Sequence, residues 1–575
     1  MKSFLRSFFA AVLAIVVVFV VIVGIVAMKT SDKPKIEDGS WLVIDLYGGI
    51  TEYDPPSNFM GEMMGGKGET LTRILCNLNK VCVDDRMEGV IFKMSSSNGT
   101  GRAMLEEMRG AIKKVQASGK KVYGYSDTMD RHTYYLASAC DSIFMPPTAY
   151  MNFIGLSITT QHVKGMLEKL HIKPNLHQIK DYKSAAEMIV RKDMSEYSRE
   201  NKDWMLEEYW DIYCAALEGD RGFTEEQIVA AMEKALFPIE DAVDAGFVDA
   251  AMYWDELADM LKGDEEELET VCQSSYAKVE PKELDLDGKK KIAVVHAQGM
   301  IGGRRSKVDP MLGLLMGHES VNAQLRKARK DEDVVAVIFR VNSGGGESLT
   351  SDLISREIAN TAKEKPVIVS MVNVAASGGY MISYRATKMI ADEMTVTGSI
   401  GSINMKFNVK GFYNMFGITF DYTSKGPNAL FYSPFRDFTK DEREIFETDH
   451  WKGFNAWLQD VADHRGMAFE EAEKLAHGRV FTGRQGAANG LLDGIGGLDR
   501  AIEMARELGE IEEDEKVSIV HYPLQESFFE SLMSGGGFST AAQYVVWRFI
   551  QDDVSETLNI VNSPRMNMMQ EMDIR

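Results

Sequence analysis

The sequence is poor in the residues that build metal centres, disulfide frameworks and histidine-based catalytic sites. Its 575 residues include 5 cysteines and 10 histidines. The cysteines are odd in number and show no Cys-x-x-Cys spacing, so they are predicted to pack as small apolar side chains rather than to form disulfides or bind metal. No histidine lies in a recognisable triad, and His450, His464 and His477 fall in charged, helical sequence, which predicts a surface or capping role. The sequence therefore predicts no metal and no cofactor.

Basic residues are outnumbered by acidic ones. The chain has 64 lysines and arginines against 86 aspartates and glutamates, a formal net charge of −22. Because proteins that bind the phosphate backbone concentrate lysine and arginine, nucleic acid is not expected as a partner. The sequence also has no Gly-x-x-x-x-Gly-Lys-Ser/Thr loop, so it contains no motif for intrinsic ATP-driven work.

One apolar run is long enough to cross a membrane. Residues 8–28 carry no charged or strongly polar side chain, and a helix of this length spans the roughly 30 Å of a bilayer core. The run is longer than the core of a usual signal peptide and is followed by a poor cleavage site, so an uncleaved anchor is favoured. Basic residues flank it on both sides, so charge alone does not fix its orientation.

Beyond that run the sequence contains an internal duplication, which aligns Tyr135 with Tyr380 at an offset of about 245 residues. Each half opens with an apolar strand-like run, at 41–46 and at 292–297. A loop of about thirty residues, a second strand, an amphipathic helix and a third strand follow in each half. This order predicts βαβ crossovers and a largely parallel sheet covered on both faces. The predicted fold class is α/β.

The boundary between the halves is predicted at 280–291, where charge, proline and glycine replace the apolar periodicity. Each half closes with a long amphipathic helix, which either interlocks the halves or packs within its own core. The predicted domains are a cytoplasmic tip with the anchor, an N-terminal repeat, a C-terminal repeat and a tail, at 1–30, 40–280, 288–530 and 531–575.

The two repeats have complementary losses at two positions. In the alignment above, Ser377 of the second repeat corresponds to His132 of the first, and Lys183 of the first corresponds to Ala429 of the second. The two positions lie about 50 residues apart in both repeats, so an unduplicated ancestor would have carried a serine and a lysine together. This pattern predicts a Ser/Lys nucleophile and base assembled across the duplication, with one site per chain.

The sequence around Ser377 is typical of a nucleophile. Ser377 follows an apolar strand and precedes Gly378 and a predicted helix, and such a turn exposes the hydroxyl and the next amide on the same side. A buried capping serine would use similar residues. A lysine base must be neutral, and burial can lower a lysine pKa by several units. Lys183 lies among small apolar residues; Lys180 and Lys425 are the alternatives, and Lys425 is disfavoured because a Gly-Pro turn follows it.

A glycine cluster at 342–346 lies between another predicted strand and helix. Backbone N–H groups at such a junction can stabilise a developing oxyanion, with the amide of Gly378 as the second donor. A plain turn between a strand and a helix would use the same residues. The counterpart at 95–99 lacks the glycine run, and no such role is predicted for it.

These motifs resemble those of the signal peptide peptidase A family, also called protease IV, in its long, duplicated form. The matching segments are 373–380, 397–401, 341–346 and 181–185. The resemblance covers almost the whole chain. It implies two tandem Clp/crotonase-like βαβ repeats with added helices, preceded by one N-terminal transmembrane helix.

The resemblance also implies roles for individual residues. It implies Ser377 as the nucleophile and Lys183 as the general base. Ser399 matches the serine that orients the lysine in such dyads, and Phe153 stands opposite it in the first repeat.

The oxyanion donors implied by the resemblance are Gly345, Gly346 and Gly378. One residue departs from the family pattern, because Gly344 stands where the family typically has a proline before its glycine pair. The choice between the Gly345 and Gly346 amides is therefore left open.

The function implied is that of a membrane-anchored serine endopeptidase that degrades cleaved signal peptides and other apolar peptides through an acyl-enzyme. Without an ATP-binding loop it is expected to take short or unfolded substrates. A catalytically inactive membrane scaffold and a crotonase-like acyl-CoA enzyme are the alternatives. The scaffold is disfavoured because Ser377, Lys183 and Ser399 are all retained. The acyl-CoA enzyme would need neither the anchor nor the Ser/Lys pair.

The resemblance further implies an assembly and a location. Family members form tetramers whose active sites face an inner cavity, so a homotetramer is expected. Residues 8–28 would cross the bacterial inner membrane once, with the catalytic body in the periplasm. Peptides are the expected partners.

Overall fold

A computed structural model describes residues 35–54, 69–96, 100–309 and 312–524. The predicted anchor at 8–28 and the predicted tail at 531–575 lie outside the described residues. Within the described ranges, no helix is both long enough and apolar enough to cross a membrane.

The first repeat alternates strands and helices. Its strands are β1 (Ser40–Leu46), β2 (Met87–Met94), β3 (Lys121–Ser126), β4 (Met129–Asp130), β5 (Ser142–Met145), β6 (Tyr150–Phe153), β7 (Lys173–Ile179), β8 (Ala235–Pro238), β9 (Ala250–Ala251) and β10 (Thr270–Cys272). Its helices are α1 (Leu71–Val81), α2 (Arg102–Ala117), α3 (Arg131–Ala137), α4 (Lys164–Lys169), α5 (Glu187–Val190), α6 (Glu196–Arg221), α7 (Glu225–Glu233), α8 (Ile239–Asp244), α9 (Trp254–Leu261) and α10 (Gln273–Tyr276). Short 3₁₀ helices span Ser184–Ala186 and Pro281–Leu284.

The main sheet of the first repeat is parallel and has the order β10-β1-β2-β3-β5-β9. Val90, Ile91 and Phe92 of β2 are consecutive and fully buried, as expected for a central parallel strand covered on both faces. In a smaller sheet, β6 pairs parallel with β4 and antiparallel with β8.

The second repeat follows the same plan. Its strands are β11 (Lys290–Gln298), β12 (Met300–Ile301), β13 (Lys307–Asp309), β14 (Gly313–Met316), β15 (Val334–Ser343), β16 (Val367–Ala376), β17 (Lys388–Ala391), β18 (Val396–Gly398), β19 (Ser402–Asn408), β20 (Val480–Thr482), β21 (Gly494–Ile495) and β22 (Val517–Tyr522). Its helices are α11 (His318–Lys330), α12 (Ser348–Ala362), α13 (Gly378–Met381), α14 (Lys410–Met415), α15 (Lys440–Arg465), α16 (Phe469–Leu475), α17 (Gly483–Ala488) and α18 (Leu498–Leu508).

The sheet of the second repeat corresponds strand for strand to that of the first. The order β22-β11-β15-β16-β17-β21 is parallel throughout and matches β10-β1-β2-β3-β5-β9. The strand β18 pairs parallel with β16 and antiparallel with β20, as β6 does with β4 and β8. The predicted duplication and the predicted α/β class are therefore confirmed.

Two expectations from the sequence are wrong. The thirty-residue loop after the first strand of each repeat contains a helix, α1 in the first repeat and α11 in the second. The spacing of Leu71, Ile74, Leu75 and Leu78 is the helical signal that was available in the first of these loops.

The cysteines are free, but they are not uniformly buried, because Cys82 and Cys214 are half-buried and Cys272 is exposed.

The two longest helices of the described chain, α6 and α15, have 26 residues each and occupy equivalent places. Their first turns are capped by the side chains of Ser195 and Thr439, which accept hydrogen bonds from backbone amides that have no partner within the helix. They end at Gly222 and Gly466, whose φ values of 72° and 64° lie in the left-handed region that glycine adopts at little cost.

These long helices pack into the core of their own repeat and also contact the other repeat, so both alternatives left open by the sequence hold. Asn201 of α6 exchanges two 3.0 Å hydrogen bonds with the backbone of Val480 in β20. Arg443 of α15 donates a 2.8 Å hydrogen bond to the carbonyl of Leu176 in β7. The strand β7 itself pairs antiparallel with β19, so each repeat contributes one strand to a small sheet between them.

Candidate active site

Ser377 lies in the turn between β16 and α13 with a backbone conformation of φ 56° and ψ −115°. Positive φ is uncommon for a residue other than glycine and stores strain. The turn is held from two sides. The Ser377 amide donates a 2.9 Å hydrogen bond to the carbonyl of Gly398, and a Cβ on Gly379 would lie 2.2 Å from the carbonyl oxygen of Ser343. The strand-to-helix turn predicted from the sequence is therefore present, and it directs Ser377 toward a cavity.

Lys183 of the first repeat reaches Ser377 of the second. Its Nζ lies 2.9 Å from the Ser377 Oγ, 2.9 Å from the Ser399 Oγ and 2.7 Å from the Ser399 carbonyl oxygen. The Lys183 residue is 5% exposed. Burial disfavours the charged ammonium and lowers the pKa of Lys183 to about 7. The structure thus brings together the three side chains that the sequence analysis singled out.

The β7–β19 pair explains why these residues meet although they lie far apart in the sequence. Its register sets Ile179, the last residue of β7, opposite Ser402, the first residue of β19. Lys183 follows β7 and Ser399 precedes β19. In an antiparallel pair these two flanking segments emerge at the same end, so the pairing places Lys183 beside Ser399.

Gly478 is a site residue that the sequence analysis missed. A Cβ at this position would lie 2.5 Å from the Lys183 amide nitrogen and 2.6 Å from its Cβ. The amide of Gly478 donates to the carbonyl of Ile400 at 2.9 Å, and the amide of Tyr182 donates to the carbonyl of His477 at 3.0 Å. The segment around Gly478, which belongs to the second repeat, therefore packs closely against the backbone of Lys183. In the sequence the only signal is an isolated glycine, which marks any turn.

The predicted oxyanion glycines differ in what their amides do. The Gly345 amide donates to the Ser343 Oγ at 3.2 Å. Gly346 and Gly378 line the same cavity as Ser377, and a Cβ on Gly378 would lie 2.9 Å from the Gly346 nitrogen. Among the described residues, neither of these two amides has a hydrogen-bond acceptor. The geometry leaves the Gly346 and Gly378 amides free to bind an oxygen next to Ser377.

The cavity in front of Ser377 has a volume of about 1830 Å³ and is lined by both repeats. Part of its wall is apolar, formed by Met188, Met381, Met394, Ile403, Phe454 and Trp457. Ligand sites are commonly concave and apolar with a few convergent polar groups, and this cavity fits that description. In the part of the chain that the structure describes, no cluster of three or more histidine, cysteine or acidic side chains could hold a metal ion.

Comparison with known proteins identifies the family. Residues 114–268 and 359–512 each match peptidase family S49. The chain is 31% identical over 513 residues to the chloroplastic serine protease SPPA of Arabidopsis thaliana, covering 88% of this chain and 74% of that protein. It is 31% identical over 442 residues to Protease 4 of Haemophilus influenzae, covering 74% of this chain and 71% of that protein. The chain belongs to peptidase family S49.

This S49 peptidase is therefore a serine peptidase, and the two family matches fall one in each repeat. Among solved structures, the 1510-N membrane protease of Pyrococcus horikoshii, which is specific for a stomatin homolog, matches with a TM-score of 0.26. Its sequence identity is 14%, and the match covers 43% of this chain and 98% of that one. A score this low carries no structural argument, so the Clp/crotonase-like architecture stays a prediction.

In this S49 peptidase the first repeat holds a changed copy of the site. His132 stands where Ser377 stands in the second repeat, and its Nε2 lies 2.5 Å from the carbonyl oxygen of Thr100. Burial lowers the pKa of His132 to about 4, so the ring is neutral near pH 7. Phe153, opposite Ser399, is fully buried in the apolar core, and Ala429, opposite Lys183, is exposed.

The structure also places the alternative bases and a histidine that was expected at the surface. Lys425 is exposed, and Lys180 forms a 2.7 Å ion pair with Glu473. The surface role predicted for His450 is wrong, because this residue is buried and lines the cavity. Its ring nitrogens lie 2.8 Å from the Nδ1 of His177 and 2.7 Å from the Oγ of Ser402.

Proposed function

We propose that this S49 peptidase is a membrane-anchored serine endopeptidase in which Ser377 and Lys183 form a catalytic dyad. Its substrates are cleaved signal peptides and other apolar peptides, which it degrades through an acyl-enzyme. The observation that carries the proposal is the 2.9 Å approach of the Lys183 Nζ to the Ser377 Oγ across the two repeats. A base within hydrogen-bond reach of a nucleophile is the geometric requirement for general-base catalysis.

In the first step the neutral amine of Lys183 takes the hydroxyl proton of Ser377 while the Oγ attacks the peptide carbonyl carbon. The pKa of about 7 supports this role, because a substantial fraction of the amine is neutral near pH 7. Ser399 holds the amine through its Oγ and its carbonyl oxygen. These two contacts hold the Lys183 side chain in the rotamer that directs its nitrogen toward Ser377.

The carbonyl oxygen becomes negatively charged as the tetrahedral intermediate forms. The Gly346 and Gly378 amides are the proposed donors to this oxyanion, because both line the cavity beside Ser377. The Gly345 amide is a poorer candidate than the sequence indicated, since it already donates to the Ser343 Oγ. Donors placed in advance stabilise the charge without reorganisation during the reaction.

In the second step the protonated Lys183 gives its proton to the leaving amine, and the acyl group stays on the Ser377 Oγ. A water molecule then attacks the ester carbon while Lys183, neutral again, accepts a proton from it. The proton finally returns to the Ser377 Oγ when the acid product leaves. One lysine therefore serves as base and acid in turn, which is the role that histidine plays in a serine triad.

The choice of substrate rests on the cavity and the predicted anchor. The methionine and aromatic side chains of the wall favour apolar side chains, and methionine adapts to ligands of varied shape. The anchor at 8–28 would place this cavity near a membrane, where released signal peptides accumulate. We propose the bacterial inner membrane as the location, with the catalytic body in the periplasm.

We further propose a homotetramer, which an exposed aromatic surface on the second repeat supports. Phe416, Tyr422 and Tyr432, in and around the segment after α14, are 66%, 62% and 74% exposed. Clusters of large exposed apolar side chains often mark protein–protein contacts. A second copy of the chain is the proposed occupant of this surface.

Substitution of the dyad tests the catalytic proposal. Ser377→Ala and Lys183→Ala are each expected to lower kcat by at least about a thousandfold, because the attack then has no nucleophile or no base. Hydrolysis of an apolar fluorogenic peptide and labelling by a fluorophosphonate measure this. Lys425→Ala is the matched control and should retain full activity, since Lys425 is exposed. Substantial turnover by either dyad variant would contradict the assignment.

A further inference from the structure

A small side pocket opens from the main cavity at the changed site of the first repeat. Its volume is about 10 Å³, close to the room that a single water molecule needs. Arg102, Arg131, His132 and Tyr209 line both the pocket and the main cavity, and Tyr213 of α6 lines the pocket alone. None of these residues has a part in the proposed dyad.

Arg131 is a buried cation without an acidic partner. It is 7% exposed, and its Nε donates a 3.1 Å hydrogen bond to the carbonyl of Ile154. Within the described ranges, no carboxylate oxygen lies within the 4.0 Å of an ion pair from its nitrogens. The neighbouring Asp130 instead accepts a 2.7 Å hydrogen bond from the Thr133 amide. Burial lowers the pKa of Arg131, and the charge of Asp130 opposes that shift only in part. Ala376 stands at the equivalent place in the second repeat.

Tyr213 supplies a second unused donor. It is 3% exposed, and among the described residues its hydroxyl has no hydrogen-bond partner. The Arg131 guanidinium lies 5.9 Å from the centroid of the Tyr213 ring. A buried hydroxyl is normally satisfied, so this pocket presents a phenol that lacks an acceptor beside a guanidinium of which, in the described part of the chain, Nε alone donates a hydrogen bond, to the carbonyl of Ile154.

We infer that this pocket binds one small monovalent anion between the Arg131 guanidinium and the Tyr213 hydroxyl. The pocket itself has room for about one water-sized group, so an ion or the tip of one carboxylate would lie partly in the main cavity, which the same arginines line. Arginine offers donors and no acceptor. An anion therefore satisfies the site better than a water molecule, whose own two hydrogens would also need acceptors. Arg102, whose guanidinium lies 4.9 Å above the Tyr209 ring, adds positive charge at the mouth.

The anion has two possible sources, a free halide or the C-terminal carboxylate of a bound peptide. A Cβ on Gly101 would lie 1.9 Å from the Asn373 side chain, and Asn373 precedes Ser377 by four residues of β16. At about 3.3 Å per strand residue, Asn373, which contacts the residue before Arg102, lies on the order of 13 Å from the nucleophile. A peptide that ends about four residues after the cleaved bond would place its carboxylate there. This second source rests on the proposed function of Ser377.

Bromide diffraction tests the site independently of catalysis. Crystals of the full chain carrying Ser377→Ala are soaked in sodium bromide, and anomalous data are collected at the bromine edge. A peak within hydrogen-bond distance of the Arg131 guanidinium and the Tyr213 hydroxyl is expected. An ordered water without anomalous signal, in crystals that also show no peptide carboxylate there, would overturn the inference.

Solution measurements with Tyr213→Phe and a matched control keep the test quantitative. Bromide should raise the Tm of the wild-type protein relative to the much larger gluconate anion at equal ionic strength. Tyr213→Phe removes one donor and should weaken the apparent bromide affinity about tenfold. Tyr134→Phe is the control, because its hydroxyl donates at 3.0 Å to the Phe247 carbonyl outside the pocket. Equal bromide responses in the wild type and Tyr213→Phe would contradict the site.

Paired peptides distinguish the two sources. Substrates with four residues after the cleaved bond are compared as free acids and as C-terminal amides. If the carboxylate is the ligand, kcat/KM should favour the acid about tenfold in the wild type, and Tyr213→Phe should abolish the preference. A bromide peak with equal kcat/KM for both peptides supports the free-halide source. Neither a bromide peak nor an acid preference would overturn the inference while leaving the dyad intact.

Discussion

The proposed chemistry depends on a lysine that is buried without a carboxylate beside it. Burial is what lowers the Lys183 pKa to about 7, and no ion pair involves Lys183 within the described ranges. A neighbouring carboxylate would favour the ammonium and return the pKa toward 10.5. The hydroxyl and carbonyl of Ser399 satisfy the amine with neutral groups instead. Neutral hydrogen-bond partners in a dry site are therefore a requirement for the base.

This pKa predicts the pH dependence of activity. Only neutral Lys183 can accept the Ser377 proton, so the active fraction falls as the pH drops below about 7. We expect kcat/KM to decrease about tenfold per pH unit on the acid side and to level off above the pKa. Peptide binding to Ser377→Ala, measured across the same pH range, is the control for effects on affinity. A kcat/KM profile that is flat from about pH 5 to 9 would exclude a buried lysine base.

Gly478 provides a second prediction at the residue scale. Gly478→Ala puts a methyl group 2.5 Å from the Lys183 amide nitrogen, so the lysine segment must shift. Displacing a catalytic group by about 1 Å can cost on the order of a hundredfold in rate, and we expect kcat to fall by that amount.

Gly417→Ala is the matched control for Gly478→Ala. The φ values of the two glycines are 74° and 79°, but a Cβ on Gly417 would meet no atom within 4 Å. Both variants carry the same backbone strain, and only one contacts the site. An equal loss of activity in the two variants would show that strain, rather than displacement of Lys183, limits the rate, and full activity of Gly478→Ala would contradict the prediction.

The dyad residues can be predicted from the sequence, but a residue that positions them cannot. Ser377 and Lys183 are predictable because each repeat retains one partner and has lost the other. Gly478 is not predictable, since a glycine that contacts Lys183 nearly 300 residues away leaves no local signal. The interpretation of His450 failed for a related reason. Its charged helical neighbours indicate solvent, whereas β7 and β19 of the inter-repeat sheet cover it.

At the scale of elements, the β7–β19 pair is the device that assembles the site. It joins Lys173–Ile179 with Ser402–Asn408 and belongs to neither main sheet. A slip of one residue would turn every side chain to the opposite face and would move Lys183 relative to Ser399. This pair could not be predicted from the sequence, because two short strands separated by more than 200 residues carry no local signal that sets their register.

Proline substitutions in β19 test this dependence. In an antiparallel pair, adjacent residues point their amides alternately toward and away from the partner strand. Of Asn404→Pro and Met405→Pro, one therefore removes a hydrogen bond to β7 and the other leaves the ladder complete. We expect the variant that loses the hydrogen bond to β7 to lower kcat/KM by on the order of tenfold or more. The far-UV circular dichroism from the main sheets should change little.

The other proline variant serves as the internal control. It places the same ring in the same strand, and its activity should stay near that of the wild type. Full activity in both variants would mean that the β7–β19 ladder does not position Lys183. Equal loss in both would indicate general unfolding, which the circular dichroism would detect.

At the scale of the molecule, a buried charged network joins the two repeats. Arg340 in β15 donates to Glu52 at 3.1 Å and to Glu107, both in the first repeat, and to Ser370 at 2.7 Å. His296 lies 2.7 Å from Glu52, and the contacts with His296 and Arg340 outweigh burial and lower the Glu52 pKa to about 2. Removing one partner of such a network leaves an uncompensated buried charge. The network therefore favours one relative placement of the repeats.

The overall plan is more predictable than the way the repeats join. The largely parallel sheet of each repeat was predicted from apolar strands that alternate with amphipathic helices, and the structure confirms it. The charged network was not predicted. A single arginine in an apolar strand such as Val334–Ser343 gives no indication of which acidic residues it will contact. Contacts between distant segments depend on the assembled fold rather than on local pattern.

The division of the dyad between repeats makes a prediction for the whole chain. Residues 1–285 contain Lys183 and residues 286–575 contain Ser377, so each fragment expressed alone should fail to hydrolyse the fluorogenic peptide. Co-expression should restore hydrolysis, because the β7–β19 pair and the Arg340 network offer a specific interface for docking. Co-expression with Lys183→Ala in the first fragment is the control and should stay inactive. Turnover by the isolated second fragment would show that its base comes from within that repeat, and the assembly of one site from two degenerate repeats would then be wrong.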